Sequence, residues 1–230
     1  MFFWDPTFVI LIPGLLLAFW AQAKVQSTFR QYLHVRSRKG YTGAQVAQAL
    51  LRANGVTDVT VERTRGMLTD HYDPRTKVIR LSDQVYDGTS LASIGVAAHE
   101  TGHALQHHQE YFPLQIRNSL VPVANFGSNL AFPLFFIGFF FQSQFGLTLM
   151  NLGILLFSAA LLFQLVTLPV ELNASNRAIA MLTGQGIISM EEESGARKVL
   201  SAAAWTYVAA VAMAALQLIR LLVLRGYREE

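Results

Sequence analysis

Two histidines four residues apart, with a glutamate beside the first, stand in His99-Glu100-Thr101-Gly102-His103. On a helix this spacing stacks both imidazoles on one face, one turn apart, so His99 and His103 can hold one Zn²⁺ while Glu100 flanks the open coordination position. A carboxylate there can take a proton from water, which is the layout of a metalloprotease. The bland alternative is a solvated helix that happens to carry histidines. Against it, Ser90 is a good N-cap, residues 91–98 are small and apolar, and the helix can continue through Ala104-Leu105-Gln106-His107-His108.

The elements that must position this motif are dominated by apolar runs. The chain is 52% hydrophobic and only 14% charged, and residues 7–23, 119–141, 145–168 and 203–224 are nearly uncharged stretches close to the ~20 residues that cross a bilayer as a helix. Four transmembrane helices are predicted, with Trp4, Trp20, Trp205 and Tyr207 near their ends, as at a headgroup boundary. The residues before the first stretch carry no positive charge, which argues against a cleaved signal peptide. Of the 18 Lys and Arg, twelve lie between Lys24 and Arg117, three are Arg177, Arg197 and Lys198, and three are Arg220, Arg225 and Arg228. The positive-inside rule therefore puts segments 24–118 and 169–202 in the cytoplasm and the amino terminus outside. The basic tail then falls on the unfavoured side, partly neutralised by Glu229 and Glu230. No cysteine is present, so disulfides and thiolate ligands are excluded, and the net charge of +3 makes no case for nucleic acid.

Between the first two spans, residues 42–53 have helical spacing and stop at Asn54-Gly55. Residues 59–63 and 77–81 alternate like half-buried strands around the turn Asp73-Pro74-Arg75, which predicts a small β-hairpin beside the motif helix. Such a strand is compatible with holding an extended peptide by backbone hydrogen bonds.

A catalytic zinc usually has three protein ligands. The second and third spans are joined by the short loop Gln142-Ser143-Gln144, so the chain returns to the face it left after Arg117. The first acidic residue after that return is Glu171, the only one between Glu110 and Glu191. The metzincin pattern would need Gly at 106 and His at 109, where this chain has Gln106 and Gln109. Polar Asn118, Asn125, Ser128 and Asn129 fall near one face of the second span and are expected to point into the bundle.

His-Glu-Thr-Gly-His-Ala-Leu-Gln, Glu-Leu-Asn-Ala-Ser from Glu171, and Leu68-Thr69-Asp70-His71-Tyr72-Asp73-Pro74 together make the chain resemble the YugP-type neutral zinc metallopeptidases, bacterial membrane proteins. More distantly it is similar to the HtpX-type and CAAX prenyl proteases, in which the glutamate of E-x-x-A-D is the third ligand; that resemblance also points to Glu171. It departs at Ser175, which stands where those proteins have Asp, so the group orienting a ligand histidine is expected to come from elsewhere.

The expectation is a mainly α, integral membrane protein, a single domain over 1–230 with a zincin-like motif helix. Its predicted activity is that of a gluzincin-like zinc metalloendopeptidase, with Glu100 catalytic, His99, His103 and Glu171 on one Zn²⁺ per chain, and His71, Tyr72 and Arg177 as candidate oxyanion or substrate contacts. The expected setting is the bacterial inner membrane, with the site on the cytoplasmic face, a peptide or membrane protein as substrate and the lipid bilayer as partner. A homo-oligomer or a membrane complex is left open. The competing class is a non-catalytic membrane scaffold or adaptor with a structural or vestigial metal site. Glu100 weighs against it, because a closed structural site has no use for a base beside its ligands. A transporter-like bundle is disfavoured because Arg220 is almost the only ionisable residue in the spans.

Overall fold

Long apolar runs favour long helices, and the computed structural model, which describes residues 6–141 and 143–228, bears this out even where the runs contain Pro122 and Pro133. Trp4, Gln142, Glu229 and Glu230 lie outside the described residues. In chain order the elements are a 3-10 turn (Pro6–Leu11) leading into α1 (Ile12–Leu33), then α2 (Gly43–Ala53), β1 (Thr60–Thr64), β2 (His71–Asp73) and β3 (Val78–Ser82). There follow α3 (Asp83–Tyr86), α4 (Leu91–His108), α5 (Phe112–Phe140), α6 (Gln144–Gly184) and α7 (Met190–Gly226). The chain divides into two compact units: one takes the chain up to Ala21, Gln115–Leu168 and the chain from Thr206, the other Gln22–Leu114 and Pro169–Trp205.

Four helical stretches are long and apolar enough to cross a membrane: Pro6–Leu33, Phe112–Phe140, Gln144–Gly184 and Met190–Gly226. The 41 residues of α6 reach about 60 Å at ~1.5 Å per residue, twice the ~30 Å of a hydrocarbon core. The predicted third span is thus the first part of a longer rod that runs through Pro169 at the loss of one backbone hydrogen bond. Likewise α7 begins at Met190, well before the stretch 203–224.

In the first unit, buried Ala131, Phe135, Met150, Phe157 and Leu221 form the core. The inner face of α5 is Ala124, Gly127, Ala131 and Phe135, while Asn118, Asn125, Ser128 and Asn129, expected to point inward, are exposed. Small residues allow close helix approach, and here they take the inner face ahead of the polar ones. The basic tail is tied down: Arg220 Nε donates to Thr7 Oγ1 at 3.2 Å, Arg225 Nε to Asn151 Oδ1 and Arg228 to the Phe141 carbonyl, both at 2.6 Å.

The second unit contains the motif. A reciprocal capping box starts α2, with Thr42 Oγ1 accepting from the Gln45 N–H and the Gln45 side chain accepting from the Thr42 N–H. Asn54 and Gly55, the latter at φ +72°, end it. Ser90 caps α4 by accepting from the Ser93 N–H at 3.1 Å. The apolar faces of α2, α4, the sheet and α7 meet around Ala47, Leu51, Ile79, Leu81, Ala97 and Val199.

The sheet differs from the hairpin predicted. The two strands expected to pair do so, but in parallel, with Thr60 opposite Val78 and Thr64 opposite Ser82. The hairpin joins β2 to β3 instead, and the order is β1-β3-β2. As the central strand, β3 is buried on both faces except at Arg80, which is why Val78 and Ile79 are adjacent apolar residues and strict alternation fails.

Candidate metal centre

Seven positions of α4 and α6 bring the site together. Along α4, His99, Gly102, His103 and Gln106 recur at helical spacing and form one stripe; along α6, Glu171, Ala174 and Ser175 do the same. The stripes meet where Gly102 faces Ala174: a Cβ on Gly102 would lie 2.7 Å from the Ala174 carbonyl oxygen. Because the obstacle is backbone and cannot swing aside, only glycine lets α6 lie this close to α4.

At that separation the Glu171 carboxylate, 3% exposed, reaches between both imidazoles. Its Oε2 lies 3.3 Å from His99 Nε2 and 3.3 Å from His103 Nε2, and all three donor atoms fall within 4.8 Å of one another. Ligands held about 2.0–2.1 Å from a tetrahedral ion sit roughly 3.3 Å apart, so the spacing suits zinc.

The far sides of both rings fix which nitrogen faces inward. Gln106, fully buried, donates through Nε2 to the Val170 carbonyl at 2.8 Å and to Asn173 Oδ1 at 2.9 Å. Its Oε1 is thereby turned to accept from His103 Nδ1 at 3.0 Å. Ser175 Oγ is 3.1 Å from His99 Nδ1 and can accept from it. With Nδ1 donating in each ring, both Nε2 atoms carry lone pairs and face a carboxylate, an arrangement of three electron-rich atoms that calls for a cation. The orienting group expected elsewhere is Ser175 itself for His99, joined by Gln106 for His103; neither is a carboxylate. Gln106 was missed in the sequence, although it stands one turn after His103 on the same face.

Gln106→Ala is expected to weaken zinc binding roughly 10–100-fold, the usual cost of losing a group behind a ligand. Competition with a chelator measures it, and affinity equal to wild type would show that the amide does not orient His103.

A proton is the competing cation. Burial works against a charged His103, but the hydrogen bond and charge of Glu171 outweigh it, with Glu100 and Gln106 adding to them, and His103 holds its proton above the ordinary imidazole range. Zinc must displace that proton, so affinity is expected to fall as pH falls through that raised range and to level off above it. Metal analysis after dialysis at graded pH tests this; retention independent of pH would contradict it.

Glu100 is 8% exposed and has no hydrogen-bond partner among the described residues, which leaves its carboxylate able to accept a proton. Close to it, Asp70 accepts from the Ser82 backbone N–H at 2.7 Å and from the Ser82 hydroxyl. Burial raises the Asp70 pKa, the Ser82 bonds oppose that shift, and the charge of Glu100 adds to it.

The other candidates lie around this centre rather than in it. On the edge strand β2, His71 is exposed and its Nδ1 pairs with the Thr69 carbonyl at 2.8 Å. The Tyr72 hydroxyl pairs with His107 Nδ1 at 2.8 Å; burial first, then Asp58 and Asp73, push its pKa up to about 12. Beside them is a cavity of about 200 Å³ lined by Asp58, Lys77, His107, His108 and Glu110. Arg177 donates to Asn173 Oδ1 at 2.7 Å and to Gln109, so it braces the group that holds Gln106.

Two imidazoles and a carboxylate converging beside an unbonded glutamate are the donor set of a metallopeptidase. Residues 7–226 match the family described as "Putative neutral zinc metallopeptidase", and the chain belongs to that family. Over 211 residues it is 51% identical to the protein of Bacillus subtilis (strain 168) named "Putative membrane protease YugP", covering 92% of each chain. No solved structure matches it significantly.

Proposed function

We propose that the chain is a zinc-dependent membrane endopeptidase of gluzincin type in which His99, His103 and Glu171 hold one zinc per chain and Glu100 is the general base. The observation that carries this reading is the convergence of two Nε2 lone pairs on the buried Glu171 carboxylate, with Glu100 next along the same helix. Bound zinc supplies Lewis acidity, which lowers the pKa of water toward ~7 and polarises a scissile carbonyl. Glu100 takes the proton from the attacking water and delivers it to the leaving amine. Ser175 and Gln106 keep the imidazoles aimed while that happens.

Among the described residues no strand pairs with the outer edge of β2, which leaves backbone groups with which an extended peptide, free or part of a membrane protein, can pair. His71, Tyr72 and Arg177 are the proposed donors to the substrate or the oxyanion; Tyr72 keeps its proton at neutral pH and can donate. Zinc analysis and peptide hydrolysis by purified full-length protein, before and after chelation and zinc re-addition, test the proposal. Protein that takes up no zinc, or whose hydrolysis survives its removal, would overturn it.

The site is proposed to face the cytoplasm from the bacterial inner membrane, on the strength of 15 of 18 basic residues lying in the two segments that carry it. Cysteines introduced singly at exposed Thr57 and Ser143 report the orientation, with no native thiol to interfere. An impermeant reagent on intact cells is expected to label position 143 and spare 57. The reverse pattern would invert the topology.

A further inference from the structure

We propose that the groove between α1 and α7 binds the phosphodiester headgroup of an anionic membrane lipid. The groove encloses about 660 Å³ and lies wholly within the second unit. Lys24, Arg197 and Lys198 supply three positive charges to its lining, Thr28 and Ser201 supply hydroxyls, and Trp205 an indole. The one acidic residue in the lining, Glu193, is paired one turn away with Arg197 at 2.6 Å. Lys24 and Lys198 are exposed and have no ion-pair partner among the described residues, so the groove keeps an uncompensated positive charge.

A Cβ on Gly195 would lie 2.8 Å from the Tyr32 ring, so α1 and α7 touch there and hold the cations of both helices around one space.

Place along the two helices selects a lipid over a soluble anion. Lys24 directly follows the apolar stretch 7–23, and Trp205 stands near the start of 203–224. Both helices thus carry this end of the groove to the depth where tryptophan sits among headgroups and lysine reaches for phosphate. Hydroxyls and ammonium groups match phosphate oxygens, and the indole offers an apolar face to the glycerol and upper acyl chains. The site uses no residue of the metal centre, so its test is independent of catalysis.

The full-length protein in detergent is titrated with phosphatidylglycerol, with phosphatidylcholine and with inorganic phosphate, and bound lipid is counted by native mass spectrometry. Wild type is expected to retain one phosphatidylglycerol preferentially. Lys24→Gln with Lys198→Gln should weaken it by about twenty-five-fold, roughly fivefold for each lysine, whereas the Lys→Arg pair should retain it. Each single Gln variant gives an independent reading if the double variant fails to fold. Equal affinity in wild type and the Gln variants, or equal binding of phosphatidylcholine, would overturn the proposal. Displacement of the lipid by inorganic phosphate at comparable concentration would assign the groove to a free anion instead.

Discussion

Purified Glu100→Gln protein is expected to hold zinc and melt like wild type while its peptide hydrolysis falls roughly 10²–10⁴-fold, the range ascribed to a positioned general base. The substitution keeps the shape of the side chain and removes only its ability to accept a proton. Neither the fold nor the metal should notice, because Glu100 makes no hydrogen bond among the described residues and is not one of the three clustered donors His99, His103 and Glu171. Turnover comparable to wild type would remove Glu100 from the mechanism. Loss of zinc together with turnover would make it a ligand instead of a base.

Replacing Glu171 by alanine should have the opposite signature: stoichiometric zinc is lost, and hydrolysis goes with it to background. Two imidazoles alone are a weak site, and the loss should exceed the ~10–100-fold typical of an outer partner such as Gln106. His99→Ala and His103→Ala are expected to behave alike, whereas Glu100→Gln should not, so zinc content separates ligands from base within one set of variants. One tightly held zinc per chain in the Glu171 variant would mean that another residue completes the coordination.

Much of this site was legible because its signal is local. His99, Glu100 and His103 share one helix, so their relation depends only on helical geometry, and the cap at Ser90 marks where that helix begins. Glu171 was reachable by a longer route, through the hairpin that returns the chain to the same face. Gln106 was legible in position but not in role, since an amide shows its task only when its partners on α6 are known. The sheet was legible in its strands and not in their arrangement. With three residues, β2 is too short to show alternation, and the parallel pairing of β1 with β3 depends on where the chain crosses between them. Hydropathy located the apolar stretches of α6 and α7 but not the helix ends, because it reads the solvent around a helix and not the helix itself.

The contact of Gly102 with Ala174 also bears on how such a centre could be transplanted. Copying His-Glu-Thr-Gly-His onto an arbitrary exposed helix would carry over two ligands and a base. It would leave behind the second rod whose backbone rests against the bare α-carbon and brings the third ligand along with it. A designer would therefore have to move a helical crossing rather than a string of five letters, and would have to choose a host in which the position three after the first histidine already faces the backbone of a second helix too closely for a Cβ.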